Sequence, residues 1–169
     1  MKSFRSGRLE VKLRGSRAVF AGRLDDAVQL GDLIAQLPAG EVVIDTAGVN
    51  FVNSIGMREW IRLIRALRER GPITLEAVSE VLITQMNQIS QFRGVKILSF
   101  YASYVCPACG FESSQLVDAV AQATVLRQMQ VPKLPCPECR AEMELGDYPE
   151  RYLSIFRERP GAGGDEPHD

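Results

Sequence analysis

The sequence predicts an α/β protein in which a mixed β-sheet with packed helices is followed by a small, cysteine-bearing β domain. Two observations indicate this fold class. First, short apolar runs alternate with segments of helical periodicity up to residue 100, and strands that alternate with helices form parallel or mixed sheets. Second, all four cysteines lie beyond residue 100, in two Cys-Pro-X-Cys pairs. The predicted boundaries are 1–102 for the first domain, 103–158 for the second and 159–169 for a disordered tail.

The N-terminal elements follow from residue alternation and turn chemistry. Apolar residues alternate with charged ones, which predicts two short strands, 9–13 and 18–21, joined by a turn. Asp25 and Asp26 can cap a helix, because their carboxylates accept hydrogen bonds from free backbone N–H groups. The apolar residues of this helix recur at helical spacing before Pro38 ends it: Ala27, Val28, Leu30, Leu33, Ile34 and Leu37.

The middle of the chain carries the clearest periodicities. Val42–Ile44 is an uninterrupted β-branched run, typical of a strand covered on both faces. Residues 45–53 are predicted to be a loop, and residues 56–70 an amphipathic helix that Gly71 and Pro72 stop. The next predicted elements are a strand over 73–78, a helix over 81–92 and a strand over 95–100 that leads towards the first cysteine pair.

The segments around the cysteines are predicted from composition. Residues 111–117 and 142–145 are expected to be the strands of a small β domain. Residues 118–130 have helix-forming composition, and a short closing helix is expected to begin at Pro149.

The two cysteine pairs predict one tetrahedral metal site. The pairs are Cys106 with Cys109 and Cys136 with Cys139, and no other cysteine is present. Two intervening residues let one turn aim both thiolates at the same ion, and two such turns supply the four sulfurs of a closed structural zinc site. With no exchangeable ligand position, the site is expected to be structural, as in a zinc ribbon.

Redox pairs, disulfides and an iron site are the alternatives to zinc for these cysteines. A redox pair would stand at the start of a helix, whereas a polar stretch follows each pair here. Disulfides suit a small secreted domain, but the N-terminal residues contain no apolar run of the kind found in a signal peptide. Iron stays open, because the turns also resemble those of rubredoxins, and zinc is favoured on the general frequency of such sites.

Charge and composition restrict the function classes. The net charge of −1 argues against a generic nucleic-acid binder, and no apolar stretch approaches a membrane span. The first 23 residues are basic, which would suit an acidic partner, although solvated strand faces are the simpler explanation. The only histidine, His168, lies in the predicted tail, so the folded part offers no histidine base for hydrolase chemistry and a non-enzymatic protein is expected. The protein is also expected to be cytoplasmic.

The stretch from Val42 to Gly56, VVIDTAGVNFVNSIG, resembles the signature of STAS domains, the module shared by anti-sigma-factor antagonists and sulphate-transporter tails. The order of predicted elements to residue 100 fits that resemblance. Together with the appended cysteine pairs, it is similar to a bacterial STAS subgroup that carries a zinc ribbon.

The resemblance implies a serine switch. In the antagonists, a partner kinase phosphorylates the serine of an Asp-Ser-X-Gly loop, and Asn53, Ser54, Ile55 and Gly56 occupy the matching positions, with Asn53 replacing the acid. Phosphate at a helix N-terminus meets free N–H groups and the positive end of the helix dipole, and Arg58 and Arg62 could hold that phosphate or an acidic partner. The alternative for Ser54 is a plain N-cap without regulation.

Three functional hypotheses result. The first is a signalling module whose Ser54 loop binds a protein partner such as an anti-sigma factor or kinase. The second is a ribbon that binds nucleic acid or the transcription machinery, although Arg127 and Lys133 are the only basic residues between the cysteine pairs. The third is a small-ligand sensor, for which the folded part offers no Gly-rich phosphate loop.

Overall fold

A computed structural model describes residues 1–157, so the predicted tail and His168 lie outside the described residues. The helices are α1 (Gly31–Gln36), α2 (Ser54–Arg70), α3 (Glu80–Met86), α4 (Ala123–Arg127) and α5 (Pro149–Leu153). Single 3₁₀ turns cover Ser90–Phe92 and Ser154–Phe156. The strands are β1 (Lys2–Ser6), β2 (Leu9–Arg14), β3 (Arg17–Leu24), β4 (Val42–Val52), β5 (Ile73–Glu76), β6 (Lys96–Ile97), β7 (Ser99–Val105), β8 (Glu112–Asp118), β9 (Leu134–Pro135) and β10 (Glu142–Leu145).

The first sheet has six strands in the order β1-β2-β3-β4-β5-β6. β1, β2 and β3 are antiparallel neighbours, while β4, β5 and β6 add in parallel beside β3. This confirms the predicted mixed sheet with packed helices. Since parallel neighbours need a crossover, α1, α2 and α3 connect the strands of the parallel half.

The predictions for β1 and β4 differ from the structure. β1 was missed, although Phe4 faces the core between the exposed residues Ser3 and Arg5. The predicted loop over 45–53 is wrong, because β4 continues to Val52 and pairs with β3 through two register shifts. Such shifts keep a long strand paired although its residues no longer alternate regularly between faces.

The first helix is shorter than predicted because Asp25 forms a local turn instead of capping it. The Asp25 carboxylate accepts the Ala27 N–H at 3.1 Å, and its carbonyl accepts the Val28 N–H at 3.2 Å. Aspartate side chains often compete with helix hydrogen bonds in this way. The helix therefore begins only at Gly31.

α2 places the serine loop. Its apolar stripe is buried, and Trp60 lies wholly inside the core with its ring edge-on to Phe20, the centroids being 5.5 Å apart. The helix follows β4 directly, since Val52 is the last strand residue and Asn53 is the N-cap. Because the carboxyl end of a parallel strand leads into the next helix, Ser54 lies at that edge of the sheet.

The C-terminal half contains a second sheet of four strands in the order β8-β7-β10-β9. The predicted strand over 95–100 is divided, because the chain leaves the first sheet after Ile97 and enters the second at Ser99. The predicted strand over 73–78 ends at Glu76, where Ala77 takes a φ of 48°. The predicted helix over 81–92 ends at Met86, and only one 3₁₀ turn follows.

The two sheets are joined by contacts between α3 and the segment after β10. The Asn87 side chain accepts the Ile155 N–H at 2.8 Å and donates to the Arg151 carbonyl. The Phe100 and Phe156 rings stack with their centroids 5.0 Å apart. Both sheets thus contribute to one continuous buried core. Within residues 1–157, no helix combines the length and apolar character that a membrane crossing requires.

Candidate metal centre

Each cysteine pair occupies the same kind of tight turn. In the first turn, the Cys106 N–H donates to the Phe111 carbonyl at 2.8 Å, and the Gly110 N–H donates to the Cys106 carbonyl at 2.8 Å. In the second turn, the Cys136 N–H donates to the Ala141 carbonyl at 2.7 Å, and the Arg140 N–H donates to the Cys136 carbonyl at 2.9 Å. The two turns are therefore structurally equivalent, although beyond Cys-Pro-X-Cys they share only the glutamate that begins the following strand.

The residue after each second cysteine has a left-handed backbone. Gly110 has a φ of 79° and Arg140 a φ of 65°. Glycine adopts this conformation freely, whereas a side chain at positive φ is costly. Arg140 adopts this unfavourable conformation, and its N–H closes the turn by donating to the Cys136 carbonyl. This indicates that the site that the turn builds imposes the turn geometry.

The four sulfur atoms form one compact cluster. All four Sγ atoms lie within 4.8 Å of one another. The distances across the turns are 3.5 Å from Cys106 to Cys139 and 3.6 Å from Cys109 to Cys136. A tetrahedral ion with metal–sulfur bonds of about 2.3 Å separates its ligands by about 3.8 Å, a value slightly above these two distances and below the 4.8 Å limit of the cluster. The four cysteines could therefore bind a metal ion as tetrahedral ligands.

The cluster lies at the end of the second sheet, half inside the core. Cys106 and Cys136 are buried, at 1% exposure each, and Cys109 and Cys139 are exposed. Cys106 directly follows β7, and Cys136 directly follows β9. An ion bound here would link the ends of β7 and β9. These strands are not direct neighbours, because β10 lies between them in the sheet.

Backbone and thiol neighbours set the protonation of the metal-free cysteines. N–H groups of Cys109 and Ala108 lower the pKa of the Cys106 thiol to about 7, against the opposing effect of burial. For Cys109, the Phe111 N–H lowers the pKa, but burial and the three other thiols outweigh it and raise the pKa to about 12. The pKa of Cys139 is likewise raised, because the Cys106 thiol and burial oppose the Ala141 N–H.

These directions predict a steep pH dependence of metal binding. Cys109 and Cys139 keep their protons at neutral pH in the metal-free protein, and must release them to become thiolate ligands. These two protons alone lower the apparent affinity about 100-fold for each pH unit of acidification, and the Cys106 proton steepens the slope further below its pKa of about 7. Competition with a chromophoric chelator between neutral and mildly acidic pH measures this slope. A pH-independent affinity would contradict the thiolate ligand set.

The serine loop is organised by Asn53. Its side-chain oxygen accepts the Gly56 N–H at 2.9 Å, and its carbonyl accepts the Met57 N–H at 2.9 Å. Asn53 is therefore the N-cap of α2. The suggestion that Ser54 is a plain N-cap is wrong, because Ser54 is the first residue of the helix itself.

The start of α2 presents both a hydroxyl and apolar surface to solvent. Ser54 is exposed, Ile55 is 46% exposed and Gly56 is buried. Among residues 1–157, no protein group forms a hydrogen bond with the Ser54 hydroxyl or accepts the N–H of Ser54 or Ile55. A negatively charged group at this position would therefore meet two free backbone donors.

The two arginines of the predicted partner face differ in their surroundings. Arg58 is exposed and forms no ion pair within the described part of the chain. Arg62 pairs with Glu59 at 2.9 Å, and the second oxygen of Glu59 accepts the Leu30 N–H at 3.0 Å. Arg58, one turn after Ser54, is thus the cation free to meet a ligand at the serine.

Ion pairs consume part of the basic N-terminal surface. Arg5 pairs with Glu10 at 3.3 Å, and Arg23 pairs with Asp25 at 3.2 Å. Arg17 contacts both Asp45 and Glu76 at the parallel half of the sheet. Asp45 and Glu76 are far from Arg17 along the chain, so only the order of the strands in the sheet reveals this pairing.

No family model, no curated protein and no solved structure matches this chain. The site therefore has to be interpreted from its own geometry. The contact of Asn87 with Arg151 and Ile155 was not predicted from the sequence. These residues are more than 60 positions apart, and no sequence pattern indicates that they meet.

Proposed function

We propose that this chain is a non-catalytic, cytoplasmic signalling module of the STAS type, whose α2 N-terminus binds a protein partner under the control of Ser54 phosphorylation. The observation that carries the proposal is the exposed Ser54 hydroxyl beside the exposed Ile55, at the start of a long helix. The resemblance of residues 42–56 to STAS signatures supports the same position. Neither feature requires a catalytic residue.

The local surface suits a charge switch. Ile55 offers apolar area to a partner, and Arg58 offers a cation one turn further along the helix. A phosphate on Ser54 adds about −1.5 to −2 charges at neutral pH. That charge would be stabilised by the free N–H groups and by Arg58, and it would place a hydrated anion beside the apolar contact. Phosphorylation is therefore expected to release the partner.

Asn53 is compatible with this switch. An aspartate in its place would repel a neighbouring phosphate, whereas the neutral amide caps the helix without adding charge. The kinase would then recognise features other than an acid before the serine. Arg58 and the exposed Ile55 are the nearest such features.

In this proposal, the four cysteines bind one zinc ion whose role is structural. Zinc fits a closed four-thiolate set because it accepts tetrahedral geometry without a redox change. The exposure of Cys109 and Cys139 leaves the iron alternative to experiment. Metal analysis of protein expressed in medium containing both metals decides between them.

A substitution series tests the switch. Intact mass of protein from the native host first shows whether Ser54 carries phosphate, and proteins captured by the unmodified form are then quantified on variants. Ser54→Glu and Ile55→Glu are expected to reduce capture at least tenfold, and Ser54→Ala is expected to retain it. Arg58→Ala is expected to weaken capture if an acidic partner group binds there.

Ser16→Glu provides the matched control. Ser16 is an exposed serine in the β2–β3 turn, at the sheet edge where β3 begins, opposite the edge where α2 begins. An equal loss of capture from Ser16→Glu and Ser54→Glu would show a general charge effect. Full capture by both Ser54→Glu and Ile55→Glu would refute the proposed surface.

A further inference from the structure

β8 forms an open edge of the second sheet. It pairs with β7 over seven consecutive residues and with no other strand in residues 1–157. The Ala119 N–H donates to the Leu98 carbonyl, and the Cys106 N–H donates to the Phe111 carbonyl, each at 2.8 Å. In an antiparallel ladder, hydrogen-bonded positions alternate, so the backbone groups of Glu112, Ser114, Leu116 and Asp118 point away from β7.

This edge lacks the features that normally protect one. Between Glu112 and Asp118 there is no lysine, arginine or proline, and the register with β7 shows no bulge. The only charges of this edge are the acids at its two ends, and an edge whose centre lacks charge, proline or a bulge readily accepts another strand. Leu116, in the middle of the edge, is 52% exposed, and Val120, just beyond it, is 62% exposed. The Asp118 carbonyl accepts the Gln122 N–H at 3.0 Å, and within the described residues the other outward backbone groups of the edge are unpaired beside exposed apolar side chains.

We infer that β8 pairs with β8 of a second copy of this chain, antiparallel about a two-fold axis, to form a continuous eight-stranded sheet across a homodimer. This interface is separate from the α2 surface and does not depend on the proposed function. Strand addition at an edge gains main-chain hydrogen bonds, and a two-fold axis uses the same edge on both copies.

The charges of the strand select one register. Outward-pointing residues must face each other, so the axis passes through a residue, and the pairings with the longest overlap are centred on Ser114, Gln115 or Leu116. Centring on Gln115 opposes Glu112 to Asp118 twice, and like charges directly opposite are destabilising. Centring on Ser114 sets each Leu116 against a Glu112.

Centring on Leu116 satisfies both the apolar and the polar residues of the edge. The two exposed Leu116 side chains then contact each other across the axis, and each Ser114 faces an Asp118 that can accept its hydroxyl proton. No acid opposes an acid among the strand residues. This register is therefore the one that the second copy is expected to adopt.

Light scattering after size exclusion tests the inference with the metal-loaded full chain. Over a concentration series into the millimolar range, the mass is expected to approach twice the 18.7 kDa of one chain. Leu116→Lys opposes two ammonium groups at the axis and is expected to weaken dimerisation at least tenfold, or about 1.4 kcal/mol. Tyr148→Lys, at an exposed apolar residue away from β8, is the control and should dimerise as the unmodified chain does.

Hydrogen exchange identifies the contact independently of the variant. Amides of Ser114, Leu116 and Asp118 should gain protection with rising concentration, while the remainder of the second sheet stays constant. An unmodified chain that remains monomeric throughout the series would overturn the inference and leave the edge to a strand from a different protein. A dimer that persists in Leu116→Lys without this protection would place the interface elsewhere and would equally overturn it.

Discussion

When a chelator strips metal from the four cysteines, we expect residues 106–145 to unfold while the first sheet stays folded. Structural zinc contributes about 10–16 kcal/mol of apparent binding free energy, comparable with or larger than the whole stability of a small domain. Around the cysteines the buried side chains are few, and two of them are the ligands Cys106 and Cys136. The wholly buried residues of β7, Phe100, Ala102 and Tyr104, belong to the core shared with the first sheet, so the segment beyond Cys106 has less apolar burial of its own and depends on the ion.

The first sheet has its own buried residues and does not use the cluster. Its core side chains include Trp60, Phe20 and Phe92, which are almost wholly buried between the strands and helices. Hydrogen exchange with mass spectrometry, in reducing buffer with and without chelator, measures both parts at once. Protection should be lost over residues 106–145 and retained over residues 42–70.

Release of α5 is expected to accompany the loss of metal. Asn87 binds the Ile155 N–H, and Glu80 accepts the Tyr152 hydroxyl. Both contacts require that β10 is folded, because β10 positions the following segment beside α3. Adding zinc back to the stripped protein is the control and should restore protection. Cys136→Ser should reproduce the stripped state. Unchanged exchange after removal of the metal, proven by mass, would contradict a structural role.

Gly56→Ala is expected to destabilise the protein by about 3 kcal/mol or more, since backbone must move to admit one methyl group. A Cβ at Gly56 would lie 1.8 Å from the Leu24 carbonyl oxygen and 2.7 Å from the Asp25 nitrogen. Leu24 is the last residue of β3 and Asp25 follows it, and this strand end is fixed by the Asn53 N–H donating to the Leu24 carbonyl at 3.1 Å. The glycine thus allows α2 to start against the neighbouring strand end.

Gly31→Ala is the matched control for this measurement. Gly31 is also at the start of a helix, but a Cβ there would meet no atom within 4 Å. Its substitution is expected to change stability by less than about 1 kcal/mol, in the stabilising direction if the alanine only restricts the unfolded chain. Urea unfolding monitored by Trp60 fluorescence reads both variants. Equal stabilities of the two variants would show that the chain after β3 yields easily.

The fold class could be predicted because its signals are local. The β-branched run at Val42–Ile44 and the apolar stripe of α2 each occupy a short window, and both elements are present. The cysteine cluster was equally predictable, because two residues between cysteines fix the turn that aims both thiolates. The structure confirms that the two pairs meet.

Boundaries failed where a distant partner decides them. β4 extends to Val52 because β3 lies beside it, and α3 ends beside Asn87, whose side chain binds a segment more than 60 residues away. The sequence of either segment alone contains no record of the other. Local propensity is a weak prior that tertiary contacts override.

The sequence by itself determined the alternation of strands and helices, the four cysteines that could bind a metal and a serine beside the start of α2. Only the tertiary structure decided that Asn53 caps that helix, that within residues 1–157 Arg62 pairs with Glu59 while Arg58 has no ion pair, and that β8 is an edge strand there. The physical reason is that residue type and spacing fix local geometry, whereas exposure and pairing depend on which segments pack together.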